Sequence, residues 1–393
     1  MTLASGRTSG HQAVLHRLAR YRGEFPIFRD RIYLNTCSLG ALGERARRKV
    51  TEFLDGWDTR GASAWYDVWW AALAELRERY ARVIGATGEE IALAPSISVA
   101  LSAVAEALDY TRRPKVVMTS LDFPTVAYQW LAKRARGVEL VVVESLDHVS
   151  VPVEAIARAV DERTALVATS HVYFTSGAIQ DIRAVAHVAH ARGALCLVDA
   201  YQSVGQVPCD VRAADVDFLT AGGLKWLLGG PGIVFLYVRD ELARRLEPGI
   251  AGWFGHKHQF AFEPRSLERH DDARRFELGT PSLAAIYTQL GGLDYIEEIG
   301  VPAIRDVTAA LTEDLIARAR AAGFRPNVAA RAEDRSAIVM LPADDPADRV
   351  RHLAAAGIIA DARPGHVRLS PFFYNVQDDY VAALERLAAP SGH

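Results

Sequence analysis

Lys225 is the one charge in the stretch "GGLKWLLGGPG" (222–232), set among glycines and apolar side chains. An ammonium drawn out of water costs several kcal/mol unless something compensates it, so this placement asks for a partner or a use. Asp199 ends the apolar run "ALCLVDA" (194–200), and Lys225 follows another, "DFLTAGG" (217–223). In open α/β sheets the reactive side chains gather at such strand ends. An amine and a carboxylate so placed have a specific joint use. The amine forms a Schiff base with an aldehyde cofactor, and the carboxylate keeps a pyridine nitrogen protonated so that the ring accepts electrons, which is pyridoxal 5′-phosphate chemistry. A structural ion pair, or a lysine whose head reaches solvent, is the plainer alternative. The cofactor's phosphate needs a helix N-terminus, and "APSISVALSAVAEALDY" (94–110) supplies one, with Ser96 or Ser98 as cap and Ile97 and Ser98 at its start. Phe123, in "TSLDFPTV" (119–126), is placed either to lie flat on a pyridine ring or to pack in the core.

These residues require a frame, and the chain has its pattern. Nearly continuous apolar runs, "KVVMTS" (115–120), "VELVVVES" (138–145), "TALVATSHV" (164–172), 194–200, 217–223 and "GIVFLYV" (232–238), alternate with helical stretches such as "IRAVAHVAHARG". Strands covered on both faces read this way, which predicts an α/β fold with a mainly parallel sheet. After about residue 285 the pattern changes to a long helical stretch, short strand-like pieces and a last helix, "DDYVAALERLAA". The expected organisation is an N-terminal segment (1–30) packing with the small domain, a large domain (31–285) and a smaller α+β C-terminal domain (286–393).

Composition narrows the classes. With 45 basic and 48 acidic residues the net charge is −3, which implies neither a nucleic-acid nor a membrane partner. No run approaches the roughly 20 apolar residues of a membrane span, and no signal-peptide run opens the chain. Cys37, Cys196 and Cys209 form no CxxC pattern, and His187 with His190, or His256 with His258, lack a third convergent ligand. No metal site is expected, and the compartment is expected to be reducing and cytoplasmic.

The segments "LVDAYQSVGQVPCDV", "VDFLTAGGLKWLLGGPG" and "RRFELGTPS" (274–282) stand in an order and spacing that resembles fold type I pyridoxal-phosphate enzymes of the class V aminotransferase group, which includes cysteine desulfurases and kynureninases. The resemblance covers roughly residues 30 to 390. It implies a pyridoxal-phosphate transferase-like fold and makes Lys225 the Schiff-base lysine and Asp199 the pyridinium partner. Gln202 becomes a donor near the phenolic oxygen, and Gly279 and Thr280 contact the cofactor phosphate of a neighbouring subunit in a homodimer. Four places look most like kynureninase: "CSLG" (37–40), "FP" (123–124), "GWFGH" (252–256) and "RPGHVRLSPFFYN" (363–375). They imply an amino-acid substrate whose carboxylate meets Arg368 through a bidentate pair, with Ser38, Leu39, Trp253 and His256 around the substrate.

The departures bear on the reaction. Leu224 stands where kynureninases have tyrosine and desulfurases histidine, and Gly222 where desulfurases have a phosphate-binding serine. Thr280 replaces the asparagine that contacts the aryl part of kynurenine, and Phe174 replaces the asparagine of many members, while His171 keeps its place. Residues 210–393 contain no cysteine, so the mobile nucleophile of a desulfurase is missing. The expected function is therefore reaction of an amino acid, held as an external aldimine, by kynureninase-like Cβ–Cγ cleavage or β-elimination. Transamination or epimerisation is the alternative. From another class, a pyridoxal-phosphate-binding regulator that has lost catalysis would also explain Leu224 and Gly222. A nicotinamide oxidoreductase lacks its GxGxxG turn.

Overall fold

The computed structural model describes residue 14 and residues 16–389. Its strands, in chain order, are β1 (Ile32–Tyr33), β2 (Ile91–Ala94), β3 (Lys115–Thr119), β4 (Glu139–Val143), β5 (Thr164–Ser170), β6 (Leu195–Asp199), β7 (Phe218–Gly222), β8 (Val234–Val238), β9 (Val339–Pro342), β10 (Ile358–Ile359), β11 (Asp361–Arg363) and β12 (His366–Leu369). All six apolar runs form strands of one seven-stranded sheet, in the order β2-β8-β7-β6-β5-β3-β4. The strands from β7 to β4 are parallel to their neighbours, and β8 runs antiparallel to β7 and β2. Successive residues feed two separate cores. Cys196 and Val198 pack on one side of the sheet and Leu197 on the other, as the two-residue period of a strand covered on both faces demands.

The sheet's helices follow from local signals. Helix Ile182–His190 starts at Asp181, whose carboxylate accepts from the Ala184 amide, and it buries Ile182, Val185, Ala186 and Ala189 along one face. Strand β2 escaped the sequence reading because four apolar residues between a turn and a helix carry no readable period. It exists through its pairing with β8 and through the Glu277 carboxylate, which accepts from the Leu93 amide at 3.0 Å and ion-pairs with buried Arg77.

The long helical stretch is two helices, Leu283–Ile299 and Val301–Ala321, separated at Gly300, whose φ of 82° no right-handed helix accepts. The boundary drawn at residue 285 falls inside the first of these, which packs against helix Glu44–Arg60. Of the N-terminal segment, Arg22 makes a bidentate pair with Asp379 (2.7 and 2.9 Å), Tyr21 donates to Glu298 (2.8 Å) and Phe25 packs on Tyr374. Residues 1–13 lie outside the described residues. A three-stranded antiparallel sheet, β11-β12-β9, sets Asp361 directly opposite Arg368.

Candidate active site

Strands β6 and β7 are neighbours with Asp199 level with Thr220, so the chain that leaves β7 carries Lys225 back past the end of β6. A cavity of about 280 Å³ opens there, lined among others by Lys225, Asp199, Gln202, Ile97 and Phe123. The lysine loop is clamped from outside. The Gly40 amide donates to the Leu224 carbonyl at 2.7 Å, and a Cβ on Gly40 would lie 2.3 Å from the Lys225 carbonyl oxygen, so only glycine fits. Leu228 closes the loop in the left-handed region (φ 59°), a conformation held by its packing.

Burial sets the electrostatics. It pulls the Lys225 amine down to about 8, with the Arg368 and Arg363 charges adding to the shift and Cys37 and Asp199 opposing it. Burial also pushes the Asp199 carboxyl up to about 6, while the Tyr201 amide and Lys225 hold it down. The two groups thus face each other in a medium where each is less charged than in water, and a cation bound beside Asp199 would restore its full charge.

Helix Ile97–Ala107 begins at Ser96, whose hydroxyl accepts from the Val99 amide, and its first turn opens towards the cavity at Ile97. The Ser98 hydroxyl is engaged with Thr125 at 2.8 Å. Phe123 is 43 % exposed at the cavity mouth and meets Phe174 edge to face, with centroids 5.1 Å apart. Gln202 is oriented by two bonds, its amide donating to the Cys37 carbonyl (3.0 Å) and its oxygen accepting from the Trp226 indole (2.9 Å).

Arg368 is 1 % exposed and sits behind Ser38 and Phe174, which line the cavity. One of its terminal nitrogens donates to the Phe174 carbonyl and the other to the Ser38 hydroxyl, each at 2.9 Å, while the second also pairs with Asp361. Its Nε has no partner among the described residues. Asp361 is shared with Arg363 (2.9 Å), so the cluster carries one more positive charge than negative. Asp361 and Tyr201 were missed from the sequence; a carboxylate level with an arginine in a hairpin is a signal only once the register is known.

Other expected residues are elsewhere within the chain. Leu39, 45 % exposed, lines a separate cleft with Leu228 and Thr288. Gly279 and Thr280 line another beside Pro95 and Val99. Trp253 is 42 % exposed, donates to the Gln259 carbonyl and packs on Phe260 and Phe262, and the His256 ring bonds the Glu268 carbonyl. His171 is buried, lowered to about 4 by burial and therefore neutral, and does not reach the cavity. His190 pairs with Asp217 at 2.8 Å, a structural role. Cys37 and Cys196 are buried, and burial pushes the Cys209 thiol up to about 12.

The donor set fits pyridoxal 5′-phosphate. A buried carboxylate suits a pyridinium nitrogen, an amine lowered to about 8 suits an aldehyde, and free amides at a helix start suit a phosphate. Comparison with known proteins points the same way. The model of the family described as "Aminotransferase class-V" matches residues 44–381. The chain is 34 % identical to the uncharacterized aminotransferase YcbU of Bacillus subtilis (strain 168), across 96 % of this chain and 99 % of that protein. It is 30 % identical to a kynureninase of Bacillus mycoides (strain KBAB4), across 94 % of this chain and 91 % of that one. In fold it is similar to a mutant of C-DES with glycine covalently linked to its PLP cofactor, at a TM-score of 0.87 and 20 % identity, covering 93 % and 98 % of the two chains.

Proposed function

The chain belongs to the class V aminotransferase family and is a pyridoxal 5′-phosphate enzyme, and on that premise we propose that it takes an α-amino acid and eliminates a group from its Cβ. One observation carries this choice. Leu224, next to Lys225, brings neither an acid nor a base, and of the titratable residues that line the cavity with Lys225, Asp199 is taken by the ring nitrogen and Tyr201 stays a protonated phenol, so the lysine amine is the base placed to move a proton at Cα and no second base is left to activate a water. Hydrolysis of the kynurenine type needs that second group.

Lys225, Asp199, Gln202, Phe123 and the first turn of helix Ile97–Ala107 are the residues that would hold the cofactor. The bound cofactor supplies an electron sink for the charge left at the substrate's Cα. Lys225, near pH 7, is neutral in about one molecule in ten, against about one in three thousand for an ordinary lysine, so it serves as a base at neutral pH. Asp199 would hold the proton of the ring nitrogen as its anionic partner. The substrate carboxylate binds at the Arg368 cluster, where the unpartnered Nε and the excess positive charge favour an anion. Phe123, Phe174 and Leu224 keep water from the reacting carbon. The Cβ leaving group departs with the bonding pair while Lys225 keeps the proton it has taken.

We also propose a homodimer, in which Thr280 and Gly279 reach the partner's cofactor phosphate and Trp253 and His256 flank its substrate. Their position outside the Lys225 cavity of their own chain, with Trp253, Phe260 and Phe262 exposed together, supports this. No described helix is long and apolar enough to cross a membrane. The three free cysteines favour a reducing compartment, the cytoplasm. Amine transfer is the second reading, favoured by the likeness to the uncharacterized aminotransferase YcbU, since the same lysine moves the proton in both.

The test is a product analysis. Holoenzyme is incubated with α-amino acids that carry a leaving group at Cβ, with and without an acceptor keto acid, and with kynurenine. Ammonia and a keto acid without acceptor support elimination; a new amino acid made only with acceptor supports transfer. Efficient anthranilate release by the native protein would overturn the reading, whereas release only by Leu224→Tyr agrees with it.

A further inference from the structure

We propose that the phenol of Tyr201 anchors the phosphate of the cofactor, in the place left by the missing side chain at residue 222. The proposal rests on the cofactor site described above. Gly222 and Leu224 bring no donor, so the phosphate lacks a side-chain partner from the lysine loop. Strand register supplies a substitute. Asp199 lies level with Thr220 in the β6–β7 pair, and the Ala200 amide continues the ladder to the Thr220 carbonyl, so Tyr201 comes to lie beside Gly222.

The fit is close. A Cβ built on Gly222 would stand 1.8 Å from Tyr201 Cζ and 2.1 Å from its hydroxyl oxygen. The hydroxyl end of the Tyr201 ring therefore occupies the space into which a side chain on residue 222 would grow. Residue 222 has to be glycine because Tyr201 is there. The hydroxyl has no hydrogen-bond partner among the described residues, and the ring lines the same cavity as Ile97 at the helix start. Burial and the nearby Asp199 push its ionisation upward, so it remains a donor at neutral pH. A donor beside free helix amides is suited to an anion. The ring's other contact, with the Lys225 amine 4.7 Å from its centroid, keeps it at the cavity wall.

The experiment compares the affinity of the apoprotein for pyridoxal phosphate and for pyridoxal, which lacks the phosphate. Tyr201→Phe should weaken the first by about ten- to a hundredfold, the range for a bond to a charged group, and leave the second unchanged. An unchanged preference between the two would overturn the proposal. Gly222→Ser alone should lose pyridoxal phosphate through the clash, whereas the double variant Tyr201→Ala/Gly222→Ser should bind it at least tenfold better than Tyr201→Ala. Native-like binding by the single serine variant, or no recovery in the double, would equally overturn it. Borohydride labelling separates this from the cofactor site itself. A native label away from Lys225 removes the site; a label at Lys225 with an unaltered preference in Tyr201→Phe removes only the role of Tyr201.

Discussion

Replacing Lys225 by methionine should make the apoprotein more stable, by an amount that depends on pH in a defined way. Burial lowers the amine from 10.5 to about 8. At about 1.4 kcal/mol per unit, keeping this lysine charged in the fold costs about 3 kcal/mol. The folded value lies below the unfolded one, so between pH 8 and 10.5 the unfolded chain binds more protons, and stability rises with pH across that window. Below about pH 8 the whole cost is present; above about 10.5 it has gone. Lys225→Met never carries it. The gap between variant and native apoprotein should thus be widest near pH 7, narrow at up to about 1.4 kcal/mol per pH unit above 8, and level off beyond 10.5. Comparing the gap across pH cancels the constant gain from the apolar methionine. Urea denaturation of both apoproteins from pH 6.5 to 11 measures it. A gap that stays flat across that range would refute the argument that Lys225 sits desolvated and reactive before any cofactor arrives.

Three other perturbations probe the rest of the site. Asp199→Asn should still capture the cofactor yet lose most turnover, because a neutral partner no longer holds the ring proton; it should also move the Lys225 amine below 8, since Asp199 raises it, seen as a shifted pH profile of cofactor capture. Arg368→Lys should weaken α-amino acid binding by about 1.5–3 kcal/mol, the range for hydrogen bonds to charged groups, read in KM against an amine without a carboxylate. Gly40→Ala sets a Cβ 2.3 Å from the Lys225 carbonyl; overpacking of this kind costs about 1–3 kcal/mol, and cofactor occupancy should fall along with Tm.

Much of this was legible along the chain because it is local. Runs of apolar β-formers make strands wherever a sheet will cover them, so the six strands, the placing of Asp199 and Lys225 at strand ends and the capped helix at Ser96 could be read in order. What lies across the fold was not legible. Strand β2 is held by Glu277 and Arg77, which are 200 residues apart in the chain. Arg368 reads as a free carboxylate fork, yet the β11–β12 register sets Asp361 against it. Thr280, read as reaching a neighbouring subunit's cofactor, and Trp253, read as lying around the substrate, both stand outside the Lys225 cavity of their own chain, and the chain order does not say whose cavity they serve. Gly222 reads as a loss, and only the β6–β7 register shows Tyr201 filling its space. The division has one physical cause. Strand and helix formation follow from side chains a few residues apart, whereas which side chain faces which cavity depends on register between strands, where a shift of one residue reverses every face.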